Sequence, residues 1–358
     1  VDVTAVLIVD SAKGSVGRSQ SPPRLTALEH VANRPIVHHV LDGLQQAHIG
    51  RLIVAGEPDA LIDVQASVAA YEPRFPGLDY ALCRDGTDLH STLETVAPLV
   101  GNAPCLIHPA DGLFDGLLDP SEWPHGASEH AEADVVLYVS GSVAGSASSV
   151  QRSSSGRLLG PAISAATGQS TEGFTEIALF GPGMLSRARD SFGGWGDLAD
   201  TGAKMAASGA TVRVKHVDGW RRYRGDGRDL LELNRVALDR LTATAPGPVH
   251  ETNRVEGRVQ VDPTADVRDS VIIGPTVIGP GATVSQSYIG PYTSVGEGAR
   301  IEGTEIERSI VASGACVSHV GVRLVSSLVG RNARIFRDFA LPRALRLWLG
   351  DGDEVALC

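Results

Sequence analysis

Between about Val259 and Ile335, small aliphatic residues return every five to seven positions, punctuated by glycine. The run contains Val261-Asp-Pro-Thr-Ala-Asp-Val267, Val277-Ile-Gly-Pro-Gly-Ala-Thr-Val284 and Ile289-Gly-Pro-Tyr-Thr-Ser-Val295, and continues from Ile301. A helix repeats its buried face about every 3.6 residues and a half-buried strand about every two, so neither packs this pattern. A chain that turns a corner about every six residues, burying one aliphatic side chain on each face, does pack it. That is a β-helix solenoid, in which each coil covers its neighbours. With three faces per coil, the stretch predicts about four coils. A Gly-rich β-sandwich would instead need alternating strands with turns about every 8–12 residues.

The remaining two thirds of the 358 residues leave room for a second domain with its own core. The net charge of −11, from 31 basic and 42 acidic side chains, argues against a general nucleic-acid binder. It leaves open a small anionic ligand held by a few local cations. Cys83, Cys105, Cys316 and Cys358 form no CxxC pair and no zinc spacing, which fits a reduced, cytoplasmic protein. No stretch is long and apolar enough to span a membrane, and no signal peptide is expected.

The apolar run Val3–Val9 predicts a buried strand, followed by a glycine-bearing loop at 10–24. Helical spacing follows from Pro35 through Leu44, a strand at 51–55, a helix at 89–99, and a strand at 104–108 that leads into a loop at Asp111. This alternation describes a doubly wound α/β domain with a mainly parallel sheet, whose ligands sit at the carboxyl ends of strands. Here those ends are 10–24 and 108–114. The Ser/Gly-rich stretch 140–155 reads as a loop or loose hairpin, after which Glu176–Phe180 and Thr211–Val217 resume the sheet. A helix at 229–241 precedes the linker Ala245-Pro-Gly-Pro248. The expected organisation is an α/β domain over 1–245, a β-helix over 256–340 and a tail over 341–358.

Four segments give a resemblance to a known family. They are Val31-Ala-Asn-Arg-Pro-Ile36, Gly219-Trp-Arg-Arg-Tyr-Arg-Gly-Asp-Gly-Arg-Asp-Leu-Leu-Glu-Leu-Asn-Arg235, Ser287-Tyr-Ile-Gly-Pro-Tyr-Thr-Ser294 and Leu341-Pro-Arg-Ala-Leu-Arg-Leu-Trp-Leu-Gly-Asp351. Together they resemble the long-form glucose-1-phosphate thymidylyltransferases, sugar-1-phosphate nucleotidyltransferases that carry a left-handed β-helix after the catalytic domain. The resemblance implies a GT-A-like nucleotidyltransferase fold, a left-handed parallel β-helix and homo-oligomer formation through that helix. It also implies joining of a sugar 1-phosphate to a nucleoside triphosphate with release of pyrophosphate. Such chemistry needs a backbone cradle for the triphosphate, cations on the transferring phosphoryl group and carboxylates for magnesium.

The residues at those positions depart from the family's pattern. Against A-G-G-x-G-T-R, ungapped counting places Asp10-Ser-Ala-Lys-Gly-Ser-Val16, with Val16 for the arginine and Thr26 for the later lysine. A gapped register lets Arg18 and Arg24 take those two roles, with Lys13, Gly14 and Gly17 approaching the nucleotide. His90 matches a histidine that lines the family's nucleotide pocket. Asp111 matches the first magnesium carboxylate, but Tyr223 stands at the second, so Mg2+ is expected to be held weakly or not at all. Asp226 lies three residues on. No E-K-P triplet follows Ser155-Gly-Arg157, and Glu176 replaces a glycine on the sugar side.

His108 and Asp111 could form a new acid–base pair at the strand end, and Arg222 and Arg224 could hold an anion directly. His319, inside the β-helix, matches the use of a coil histidine as general base in some β-helix acyltransferases. The expected function is that of a divergent homologue that has lost standard nucleotidyl transfer and been repurposed for altered chemistry or ligand binding in a biosynthetic pathway. Its expected ligand is a nucleotide or sugar phosphate, with no nucleic acid and no membrane. Two alternatives stand: an active transferase with a remodelled site using Arg18, Arg24 and Asp111, and a non-catalytic assembly partner.

Overall fold

The computed structural model describes residues 3–9, 25–83, 89–116, 118, 133–141, 149–152, 157–161, 172–191, 198–242 and 250–337. The loop at 10–24, the linker 243–249 and the tail 341–358 lie outside the described residues. Packing divides the described chain into two compact units, one of residues 3–9, 25–29 and 35–223, the other of 30–34 and 224–337.

The first unit is built on a nine-stranded mixed sheet. Thr4–Val9 lies parallel between Arg51–Gly56 and Cys105–Pro109, and Gly77–Leu82 extends the parallel half. Glu172–Phe180 then runs antiparallel to Cys105–Pro109 and to Val135–Gly141, which pairs in parallel with Val212–His216. The hairpin Ser149–Arg152 and Leu158–Pro161 joins through the start of Glu172–Phe180. The central strands are buried on both faces, which is why they read as continuous Val/Ile/Leu runs. The crossovers are helical: α1 (Ile36–Gln46), α2 (Pro58–Val68) and α3 (Leu89–Val100). Alternation of these elements gives the expected α/β class. Two short helices, α4 (Met184–Ser191) and α5 (Leu198–Ala207), follow on the antiparallel side.

The second unit holds α6 (Gly227–Asp239) and a left-handed parallel β-helix of three faces, each of five strands. Five replaces the expected four, because the solenoid opens at Arg254 and a coil takes 17 residues, as from Val255 to its register partner Ile272. Each face buries one column of aliphatic side chains. One runs Val255, Ile272, Ile289, Ile306, Leu324. The others run Val261, Ile278, Val295, Val311, Val329 and Val267, Val284, Ile301, Val317, Ile335. A fully buried member of such a column contributes about 1.5–3 kcal/mol of transfer free energy.

Corners on one edge are made by one residue in the left-handed region, followed in the first three coils by a hydroxyl and in the fourth by Val320. Asp269, Gln286, Gly303 and His319 have φ of 48°, 49°, 58° and 53°. The next residues form a ladder in which each hydroxyl donates within its own coil and accepts an N–H from the next. Ser270 donates to the Arg268 carbonyl at 2.7 Å and accepts from Ser287 N at 3.2 Å. Ser287 repeats this with Ser285 and Thr304, and Thr304 with Glu302 and Val320. His319 is thus a corner residue, partly exposed, its N–H bound to the Glu302 carbonyl at 2.8 Å and its Nε2 3.7 Å from Glu302 Oε1.

Candidate functional site

Cys105–Pro109 delivers its carboxyl end to the middle of the first unit's sheet, where Ala110 N donates to Ile8 O at 2.7 Å and the chain turns. That turn buries Asp111, which is 1% exposed. Gly112–Leu113 then pairs antiparallel with Arg221–Arg222, setting Arg222 opposite Gly112, while Tyr223 N donates to Asp111 O at 3.0 Å. Gly112 lies flat against the Trp220 indole, and a Cβ there would overlap the ring. The close approach requires glycine and fixes the register that aims Arg222 at Asp111.

Two side chains converge on that carboxylate, and a third joins them through Arg222. Thr26, from the short 3-10 turn Thr26–Leu28, donates its hydroxyl to Asp111 Oδ2 at 2.6 Å. Arg222 Nε donates to Asp111 Oδ1, also at 2.6 Å. The far side of the same guanidinium, through Nη1, is paired with Glu176 Oε2. Asp111 and Arg222 are withdrawn from water, with side chains 2% and 14% exposed, while Glu176 is 40% exposed. One fixed cation therefore bridges two carboxylates, one buried and one at the solvent edge.

Glu176 reaches this place by a bulge. The pairing register of Glu172–Phe180 shifts between Phe174 and Ala178, and Glu176 has φ of 65°. Thr175 supports the bulge by donating to the Tyr138 carbonyl at 2.7 Å while accepting from Ile177 N at 3.3 Å. The left-handed backbone explains why the resemblance expects glycine at this position, the residue that adopts it without steric cost.

Magnesium requires hard oxygen donors in near-octahedral geometry. Here both oxygens of Asp111 accept from donors, one of them a guanidinium, and the second carboxylate position is Tyr223. Among the described residues no group of three or more His, Cys, Asp or Glu side chains could hold a metal ion. The residues around Asp111 do not fit the ion.

His108 is 3% exposed at the strand end, in edge contact with Trp220 at 6.0 Å between ring centroids. Its Nδ1 lies 2.7 Å from the Pro109 carbonyl. A carbonyl only accepts, so Nδ1 carries the proton in this contact. Arg224 opens the segment of the second unit, its N–H donating to Asp229 Oδ2 at 3.2 Å. Asp226 is the N-cap of α6, accepting from Arg228 N at 2.9 Å. Lys13, Gly14, Gly17, Arg18 and Arg24 lie outside the described residues, as does the side chain of His90, which sits in the first turn of α3. The structure thus brings together Asp111 and Arg222 from the expected set and adds Thr26 and Glu176. The signal for those two was departure from the family's pattern at both positions.

No protein-family profile matches the chain. Over 202 residues, 56% of this chain, it is 36% identical to glucose-1-phosphate thymidylyltransferase of Streptomyces griseus. It is 36% identical over 184 residues, 51% of this chain, to the protein of the same name from Streptomyces antibioticus. The low-salt glycan biosynthesis nucleotidyltransferase Agl11 of Haloferax volcanii is 28% identical over 194 residues, again 51% of this chain. These alignments cover 57%, 51% and 54% of the relatives, so the chain spans about half the length of the curated relatives it matches. A crystal structure of a Bacillus anthracis protein assigned as a glucose-1-phosphate thymidylyltransferase, in complex with sucrose, superposes with a TM-score of 0.54. That superposition covers 66% of this chain and 95% of the other, at 14% identity, and speaks for the fold alone. Over about half its length this chain is thus similar in sequence to sugar-1-phosphate nucleotidyltransferases, and it shares the fold of a protein assigned to that activity.

Proposed function

We propose that this chain is a divergent sugar-1-phosphate nucleotidyltransferase homologue whose cleft binds a nucleotide or sugar phosphate without carrying out standard magnesium-assisted nucleotidyl transfer. The observation that carries this reading is the pair of hydrogen bonds closing Asp111, from Thr26 Oγ1 and Arg222 Nε. Nucleotidyl transfer is positioning plus electrostatic stabilisation, and loss of the ion that bridges phosphate oxygens removes a main source of both. Glu176 adds a carboxylate where a sugar phosphate would have to approach, which further disfavours the standard substrate pose.

The β-helix is proposed to join copies of this chain. Val322, Val325, Leu328 and Phe336 present 60%, 44%, 46% and 56% of their surface, an apolar set that a second copy would cover. A reduced cytoplasmic setting is supported by Cys83, Cys105 and Cys316, which form no disulfide.

The test is pyrophosphate release from each nucleoside triphosphate with glucose 1-phosphate and Mg2+, alongside thermal shift with each ligand alone. The expected outcome is a ligand-induced shift with no turnover. Robust turnover that collapses in Arg18→Ala and Asp111→Ala would establish the remodelled transferase instead. Neither turnover nor shift would leave the assembly partner.

A further inference from the structure

We infer that Arg222 is a resident cation standing where a divalent ion would otherwise sit, and that its removal unmasks a latent divalent-metal site made by Asp111 and Glu176. The inference rests on the reading that the cleft does not use magnesium, and it explains how the protein tolerates two carboxylates there without one.

The chemistry follows from the guanidinium. It cannot lose its proton in a protein, so the positive charge between Asp111 and Glu176 is permanent across the working pH range. Its planar fork offers donors on separate edges, and here Nε serves Asp111 while Nη1 serves Glu176. The residue is held by its backbone as well, since Arg221–Arg222 is locked antiparallel on Leu113 and Gly112. An incoming divalent ion would have to displace a side chain only 14% exposed and lie against its charge.

Without the guanidinium, what remains is hard-oxygen chemistry: the buried Asp111 carboxylate with the Thr26 hydroxyl on one oxygen, and the Glu176 carboxylate across the vacated space. Two carboxylates plus water is the donor set that hard divalent cations take. Glu176 also suits the role because its bulge projects it from a sheet strand rather than from a long loop.

The test uses Mn2+ alone, followed by the electron paramagnetic resonance signal of the free ion and by thermal shift. It compares the wild-type chain with Arg222→Met, Arg222→Gln, Arg222→Lys and Arg222→Met/Asp111→Asn. Arg222→Gln keeps an N–H donor against Asp111 and removes only the charge, so it reports even if Arg222→Met does not fold. The expected result is a Kd for Mn2+ lower by about tenfold or more in the Met or Gln variant, with discounting for the solvent-facing side of the pair. Arg222→Lys should stay near wild type, and the double variant should lose the gain. Wild-type Mn2+ binding that Asp111→Asn abolishes would overturn the inference, as would folded Met and Gln variants that gain nothing. Because no nucleotide is present, either result is independent of whether the protein turns over substrate.

Discussion

Ser294 donates its hydroxyl to Asn234 Oδ1 at 2.6 Å, joining a residue of the β-helix to a residue of α6. The same oxygen accepts from Ala32 N at 2.8 Å, and Asn234 Nδ2 donates to the Tyr292 carbonyl at 3.1 Å. Asn33, in the neighbouring turn, donates to the Val295 carbonyl at 2.6 Å. Asn234 is 1% exposed, so its loss would strand the buried Ala32 N–H and the Ser294 hydroxyl without this acceptor. Asn234→Ala is expected to destabilise the second unit by about 2–4 kcal/mol, from desolvated donors left unpaired. Asn33→Ala should cost less, about 1 kcal/mol, because the Val295 carbonyl keeps its bond from Gly279 N at 2.8 Å. Urea unfolding monitored on the solenoid checks both; equal, small effects would refute the clamp.

Asn33 and Asn234 mark the limit of what the sequence makes legible. Both stand inside segments that identify the family, yet no local pattern says that the Asn33 turn and α6 meet the same solenoid coils. Periodicity, in contrast, is a local property, so the β-helix columns at Val267, Val284 and Ile301 are readable directly. The count of coils slipped because Val255 opens the first column ahead of the regular repeat. At the site, Asp111, Arg222, Glu176 and Thr26 are each visible as matches or departures. That Arg222 bridges the two carboxylates depends on the Gly112–Trp220 approach, a contact between residues far apart in sequence.

The Thr26 bond to Asp111 should be worth more than a neutral hydrogen bond, because the acceptor is a carboxylate withdrawn from water. Thr26→Val keeps the shape and removes the donor, with an expected cost of about 1.5–3 kcal/mol. Asp111→Ala should cost more, about 3–5 kcal/mol, since it takes the buried carboxylate away from the poorly exposed Arg222. Chemical denaturation of both variants orders the effects. A Thr26→Val protein as stable as wild type would mean that the bond only replaces solvation.

Glu176 combines a conformational cost with an electrostatic role, and three substitutions separate them. At φ of 65°, glycine should be more stable than alanine by about 1 kcal/mol, the penalty of a Cβ in the left-handed region. Glu176→Gln retains the backbone cost and removes the charge facing Arg222; with the Glu176 side chain 40% exposed, it should cost no more than about 1 kcal/mol. Thermal melts of the Gly, Ala and Gln variants give the comparison. Alanine matching glycine would show that the bulge relaxes in solution.

Burial pushes the Cys105 thiol well above its ordinary value, because the strand interior gives no solvent to a thiolate. Its side chain is wholly buried beside the sheet core. Above the unfolded thiol's pKa, near 9, the unfolded chain releases this proton while the folded chain keeps it. The unfolded state then binds fewer protons, so stability must fall as pH rises, by up to about 1.4 kcal/mol per pH unit from this one group. Below that pH the contribution is fully present and flat. Stability measured from pH 7 to pH 10.5 should therefore decline less steeply in Cys105→Ala than in wild type, whatever the cavity costs uniformly at all pH values. Parallel alkylation with iodoacetamide at pH 9 should modify the partly exposed Cys316 first and leave Cys105 intact until the sheet opens. Identical pH slopes for the two proteins would show that Cys105 ionises in the folded state.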